Sequence, residues 1–147
     1  MRRSIPAALL LGCVVLIPSL APARADDDEA TAAAKEVAVT WFKKLSAADW
    51  KGALEVSDVP FLRDGKKVLK TREELESFHR GVADDKGKRD VEPDKVELGD
   101  EKAQETFDEP EMPDRDERVV FNIFIEGERI AVCVRKGEEP KVVGFRD

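Results

Sequence analysis

The stretch RVVFNIFIEGERIAVCVRKGEEPKVVGF, residues 118–145, decides the fold. Two apolar-rich runs flank Glu126-Gly127, and a third, 141–145, follows the Lys136-Gly137 break. Glycine-containing breaks between alternating apolar runs mark tight turns, so the stretch reads as an antiparallel meander of three strands. Side chains alternate along a strand. Val119, Phe121, Ile123 and Ile125 therefore share one face, beside Ile130, Val132 and Val134 of the return strand. The opposite face is mixed: Val120, Asn122 and Phe124, then Arg129, Ala131, Cys133 and Arg135. The apolar face requires a cover of helices. The mixed face reads as half-exposed.

Upstream, the chain supplies the cover. Ala34, Val37, Ala38, Trp41 and Leu45 recur at helical spacing and predict a helix over 31–45, widened on its apolar side by Val39 and Phe42. Asp49 then caps a short second helix in which Trp50, Ala53 and Leu54 share a face. Phe61-Leu62 and 67–69 flank Asp64-Gly65, which predicts a small hairpin. Thr71 and Glu74 form a capping box that opens a third helix, with Leu75, Phe78 and Val82 on one side. Residues 84–90 read as a charged loop, 96–98 as a strand and 103–107 as a weaker strand. The segment 109–117, EPEMPDRDE, reads as an exposed connection.

Residues 1–25 have the form of a cleaved export signal: Arg2-Arg3, an apolar run over 5–20, and Ala23-Arg24-Ala25 as the cleavage site. A membrane anchor is the competing reading, but the run is shorter than the ~20 residues a span requires and carries two prolines. Leu10-Leu11-Gly12-Cys13 has the form of a lipoprotein box, yet apolar residues continue past Cys13. Domain organisation follows as a signal over 1–25, a disordered leader over 26–30 and one domain over 31–147. The mature chain is expected in the periplasm or outside the cell, with no span.

Loss of Arg2, Arg3 and Arg24 leaves 22 of the 25 basic residues against 32 acidic ones, a net charge of −10. Such a surface disfavours nucleic acid and anionic membranes, which need basic patches. Cys133 would be left without a partner, which excludes an internal disulfide, and one His with one Cys cannot make a zinc site. The acidic runs 26–28 and 114–117 lack the glycine and terminal glutamate of a calcium loop. No cofactor or metal is expected.

Two or three helices followed by strands predict an α+β layer arrangement. The stretches WFKKLSAADWKGALEVSDVPF and DGKKVLKTREELESF, with the final meander, resemble the nuclear transport factor 2-like superfamily, whose fold is cystatin-like. The resemblance implies a cone, in which N-terminal helices pack against a curved antiparallel sheet and often leave a pocket. Its members include isomerases, dehydratases, hydrolases and transport adaptors, so the resemblance selects no activity.

The residues give few catalytic candidates. His79 is the sole histidine and the chain has no tyrosine. His79 and Asp49 are the two acid–base candidates. A boundary histidine bonded to solvent or backbone, and a capping aspartate, are the readings preferred for them. Trp41, Trp50, Phe61, Phe78, His79, Phe121 and Ile123 are candidates for a pocket lining, although helical spacing makes the aromatics core first. Asn122, Arg129 and Arg135 share the mixed face as candidates to converge on a ligand. Val120, Asn122, Phe124, Ala131, Cys133 and Arg135 are candidates for a homodimer interface, apolar within a polar rim. The reading is an exported binding module for a small apolar ligand or a protein partner. The alternative is a small-molecule isomerase, dehydratase or hydrolase with its pocket inside the cone.

Overall fold

A computed structural model describes residues 22–147. The expected signal, 1–25, lies outside them except for its last residues. Helix α1, Pro22–Ser46, takes in the backbone of the expected leader, 26–30, and Ala34 is the first buried side chain among those described. α2, Trp50–Glu55, is capped by Asp49, whose side chain accepts from the Gly52 N–H. β1, Ser57–Arg63, and β2, Lys67–Leu69, form the expected hairpin. At its tip, Asp64 and Gly65 both have positive φ, 54° and 65°, as a type I′ turn requires. α3, Arg72–Lys86, opens on the complete Thr71–Glu74 capping box. Then come β3, Lys95–Leu98; α4, Glu101–Thr106; and the meander β4, Arg118–Ile125; β5, Glu128–Arg135; β6, Lys141–Arg146.

The six strands lie in the order β2-β1-β6-β5-β4-β3. β1 runs parallel to β6, so the sheet is mixed rather than purely antiparallel as expected. The parallel step arises because the helices and β3 intervene between β1 and β6, leaving room for a crossover. The meander register places Val119 opposite Val134, Phe121 opposite Val132 and Ile123 opposite Ile130. This face packs with Ala34, Ala38, Trp41, Phe42, Ala53, Phe61 and Leu75 in the main core, as the alternation demanded.

The other face departs from expectation. Residues 103–107 are not a strand: Asp100 caps α4 by accepting from the Ala103 N–H, and Phe107 follows the helix. The connection 109–117 is not wholly exposed either, since Met112 is buried. Ala103, Phe107 and Met112 cover Leu62, Val120, Ala131, Cys133 and Val143 to make a second apolar layer. Gly144 permits the contact, because a Cβ there would lie 2.9 Å from the Phe107 ring and 3.2 Å from Leu62. Arg118 fastens this cover by donating to the Gln104, Phe107 and Pro113 carbonyls and to Asp108.

Candidate functional site

The end of the helical layer is built on aromatic packing. The Trp41 ring lies 6.3 Å from Phe61 and 5.8 Å from Phe145, and Phe145 stacks on Phe78 at 5.5 Å. His79 sits behind them with 0% exposure, not at a helix edge. The Trp41 indole Nε1–H donates to His79 Nε2 at 2.8 Å, and an indole N–H can only donate. Nε2 is therefore bare and the ring proton is on Nδ1, which donates to the Leu75 carbonyl at 2.8 Å. Burial pushes the imidazole below its ordinary pKa, so it is neutral at pH 7. Both ring nitrogens are occupied, and the ring acts as a structural bridge between α1 and α3.

Outside this cluster lies a cleft of about 170 Å³. Its apolar wall comes from Trp41, Phe42 and Leu45 of α1, Phe78 and Val82 of α3, and Ile125, Ile130 and Phe145 of the sheet. Lys86, Arg89, Glu126, Glu128 and Asp147 line it from exposed positions and form a charged rim. The segment 87–94 borders it as a strap and contributes Gly87, Arg89 and Val91. The strap is tied at both ends. The Arg89 N–H donates to the Ser46 carbonyl at 2.7 Å, and the Asp94 N–H to the Phe124 carbonyl at 2.8 Å. Lys43 pairs with Glu92 at 2.9 Å, and the Glu126 N–H donates to Asp94 Oδ2 at 2.8 Å.

Of the residues proposed from sequence for a pocket, Trp41 and Phe78 line this cleft. Phe61, His79, Phe121 and Ile123 are packed in the core behind it. Trp50 is elsewhere, under the Arg80 guanidinium at 4.6 Å. Asp49 is exposed and spent on its cap, and the Gly52 N–H holds its carboxyl below the usual range. Sequence reasoning did not assign Leu45, Val91, Ile125, Ile130 and Phe145 to a cleft. The spacing marked most of them as core, and only the tertiary arrangement leaves their outer edges facing a gap.

The six candidates for a dimer interface also separate. Val120, Asn122, Ala131 and Cys133 are buried beneath their own chain, because α4 and the segment after it cover that face. The face is therefore a second core rather than a free interface. Burial pushes the Cys133 thiol up to about 12, which leaves it unreactive at neutral pH. Arg135 pairs with Asp58 at 2.8 Å. Phe124 is half-buried, with the Lys95 amine 5.7 Å from its ring. Asn122 and Arg129 do come together in one cavity, but Arg135 does not join them.

No family model and no curated protein matches the chain. Among solved structures it is similar to an NTF-2-like protein of unknown function from Burkholderia xenovorans LB400. That match has 13% identity and a TM-score of 0.39, covering 79% of this chain and 81% of the other. It is also similar to a domain of unknown function with a cystatin-like fold from Nostoc punctiforme PCC 73102, at 20% identity and TM-score 0.39, covering 76% and 74%. The likeness is one of fold. Among the described residues, no helix is long and apolar enough to cross a membrane.

Proposed function

We propose that the protein is an exported binding module whose cleft receives the apolar part of a small ligand and leaves the ligand's polar part at the charged rim. The export signal read over residues 1–25 supports the location. The observation that carries the binding reading is the spent indole: the Trp41 N–H at the cleft already serves His79, so the wall around it is apolar in chemistry as well as in composition. Pockets of this kind gain affinity by removing apolar surface from water and take orientation from a few polar groups at the edge. The volume of about 170 Å³ suits a single ring or a short branched chain, since an apolar cavity of roughly 150 Å³ accepts benzene.

Toluene and indole titrated into the protein should shift the methyl resonances of Ile125 and Ile130 saturably. Val91→Trp, which fills the mouth from the strap, should abolish the shifts while leaving the fold intact. Unchanged binding by Val91→Trp would place the ligand elsewhere. Turnover of any screened substrate that His79→Ala removes from a folded protein would replace this reading with the enzymatic one.

A further inference from the structure

The two edges of the sheet are built differently. At one edge, β2 spans three residues, and Lys66, Lys67 and Lys70 are exposed along and beside it. Like charges on an edge repel a second strand, and natural sheets place lysines there to prevent pairing. At the other edge, β3 reads Lys95-Val96-Glu97-Leu98. Its charges are of both signs, and Leu98 is 62% exposed, the large apolar side chain left in water among the described residues. Among those residues no strand lies beyond β3.

The ladder to β4 shows which backbone groups this edge leaves open. The Gly99 N–H donates to the Val120 carbonyl at 2.8 Å, and this pair continues the register that sets Leu98 opposite Phe121 and Glu97 opposite Asn122. Bonded and unbonded pairs alternate along an antiparallel ladder. Lys95 and Glu97 therefore turn their N–H and C=O groups toward β4, and Val96 and Leu98 turn theirs away from the sheet. Side chains alternate as well, so Val96 and Leu98 share the inner face with Ile123 and Phe121. Lys95 and Glu97 share the outer face, where they pair with each other at 2.8 Å. Such an exposed pair adds little to the stability of one chain.

We propose that β3 pairs with β3 of a second copy of this chain, antiparallel about a twofold axis at Val96. That register satisfies backbone and charge together. Val96 exchanges both of its outward backbone bonds with the partner's Val96, and Leu98 meets the partner's backbone at Asp94. On the outer face Lys95 falls opposite the partner's Glu97, and Glu97 opposite the partner's Lys95. These are unbonded positions, where side chains stand closest and opposite charges stabilise. A slip of two residues would set Glu97 or Lys95 against its own copy, and a slip of one would set inner-face side chains against outer ones. On the inner face the two Val96 side chains meet at the axis. Leu98 lies diagonal to the partner's Val96, within reach of a long side chain, and leaves water in part. The same patch serves both copies, so the assembly closes at two. The edge is separate from the apolar cleft, and the proposal does not depend on the function proposed above.

The test is sedimentation of the full chain over a concentration series, with amide hydrogen exchange read at the same concentrations. An edge of four residues is a small interface, so the dimer should form in the high-micromolar range. Exchange at Val96 and Leu98 should slow as the dimer forms, while exchange along β2 stays constant. Lys95→Glu should raise the dissociation constant at least about tenfold, because like charges then face each other on both sides of the axis. Lys95→Glu combined with Glu97→Lys should restore the dimer, which a mere disturbance of the strand would not do. A monomer at every concentration, a dimer indifferent to Lys95→Glu, a double variant that stays monomeric, or assemblies that grow beyond two copies would each overturn the proposal.

Discussion

On its inner face the sheet meets α1, α2 and α3; on its outer face, among the described residues, it meets α4 and the segment to Met112. The inner cover is rich in large apolar groups, including Trp41, Phe78 and Leu75, and its buried polar bridge is the Trp41–His79 pair. The outer cover has three apolar anchors, Ala103, Phe107 and Met112, in an otherwise charged segment held by Arg118. The inner face is thus held mainly by area, the outer face mainly by a few contacts and an arginine clamp. A layer held by area leaves an apolar gap where its packing ends. A thin polar cover leaves a hollow bordered by charges, the cavity lined by Asn122 and Arg129. The two cavities differ for the same reason that the two covers do.

The comparison makes quantitative demands. Phe121→Ala opens the inner core at a fully packed position and should cost about 3–5 kcal/mol by denaturant titration. Phe107→Ala should cost less, since the thin outer cover can collapse into the space; an equal cost would mean that the two layers are one cooperative core. Next in size is Arg118→Ala, which removes the donors serving three carbonyls and Asp108 and should cost about 2–4 kcal/mol. That loss should appear mainly as faster hydrogen exchange over residues 101–117. Uniform acceleration across α1 and α3 would contradict a local clamp.

The smallest effect is a pH dependence that separates the faces. Burial holds the folded pKa of His79 below that of a free imidazole, so the unfolded chain takes up the proton first. His79 therefore contributes stability above about pH 6.5, and that contribution falls as pH drops from there through the folded pKa, by at most about 1.4 kcal/mol per pH unit. Protonation would set an Nε2–H against the Trp41 N–H, so the damage belongs to the inner face. Hydrogen bonds from Arg115, then Arg118, hold Asp108 well below the carboxylate range, and the outer clamp survives at pH 5.5. His79→Phe should flatten the stability profile between pH 7.5 and 5.5. A profile unchanged by that substitution would show that another group governs it.

The turn at Glu126-Gly127, the inner set Val119–Phe121–Ile123 with Ile130–Val132–Val134, the Asp64-Gly65 tip and the Thr71 capping box were legible without coordinates. Each rests on a period of two, a turn rule or a three-residue spacing. Of the cleft, only Trp41 and Phe78 could be picked out, as large aromatics on helices. The parallel pairing of β1 with β6 left no local mark, since it joins residues far apart in the chain. α4 was missed because six residues give too little periodicity, and its cap, Asp100, resembled a turn residue.

The sequence by itself determined which side chains must leave water: alternation along the meander and the stripe on α1 assign an inner face wherever the chain is later placed. It also determined the local stops, because caps and type I′ turns depend on residues a few positions apart. Only the tertiary structure decided what happens at the edges of those assignments. His79 became a buried neutral bridge because Trp41, on another helix, offers it a donor. The mixed face became a core because Phe107 and Met112 fold back over Val120 and Cys133. The hollow lined by Asn122 and Arg129 exists because strand register sets the Ala131 methyl group between Asn122 and Arg146. Such outcomes depend on distances between residues remote in the chain, and packing fixes those distances only when all the layers are in place.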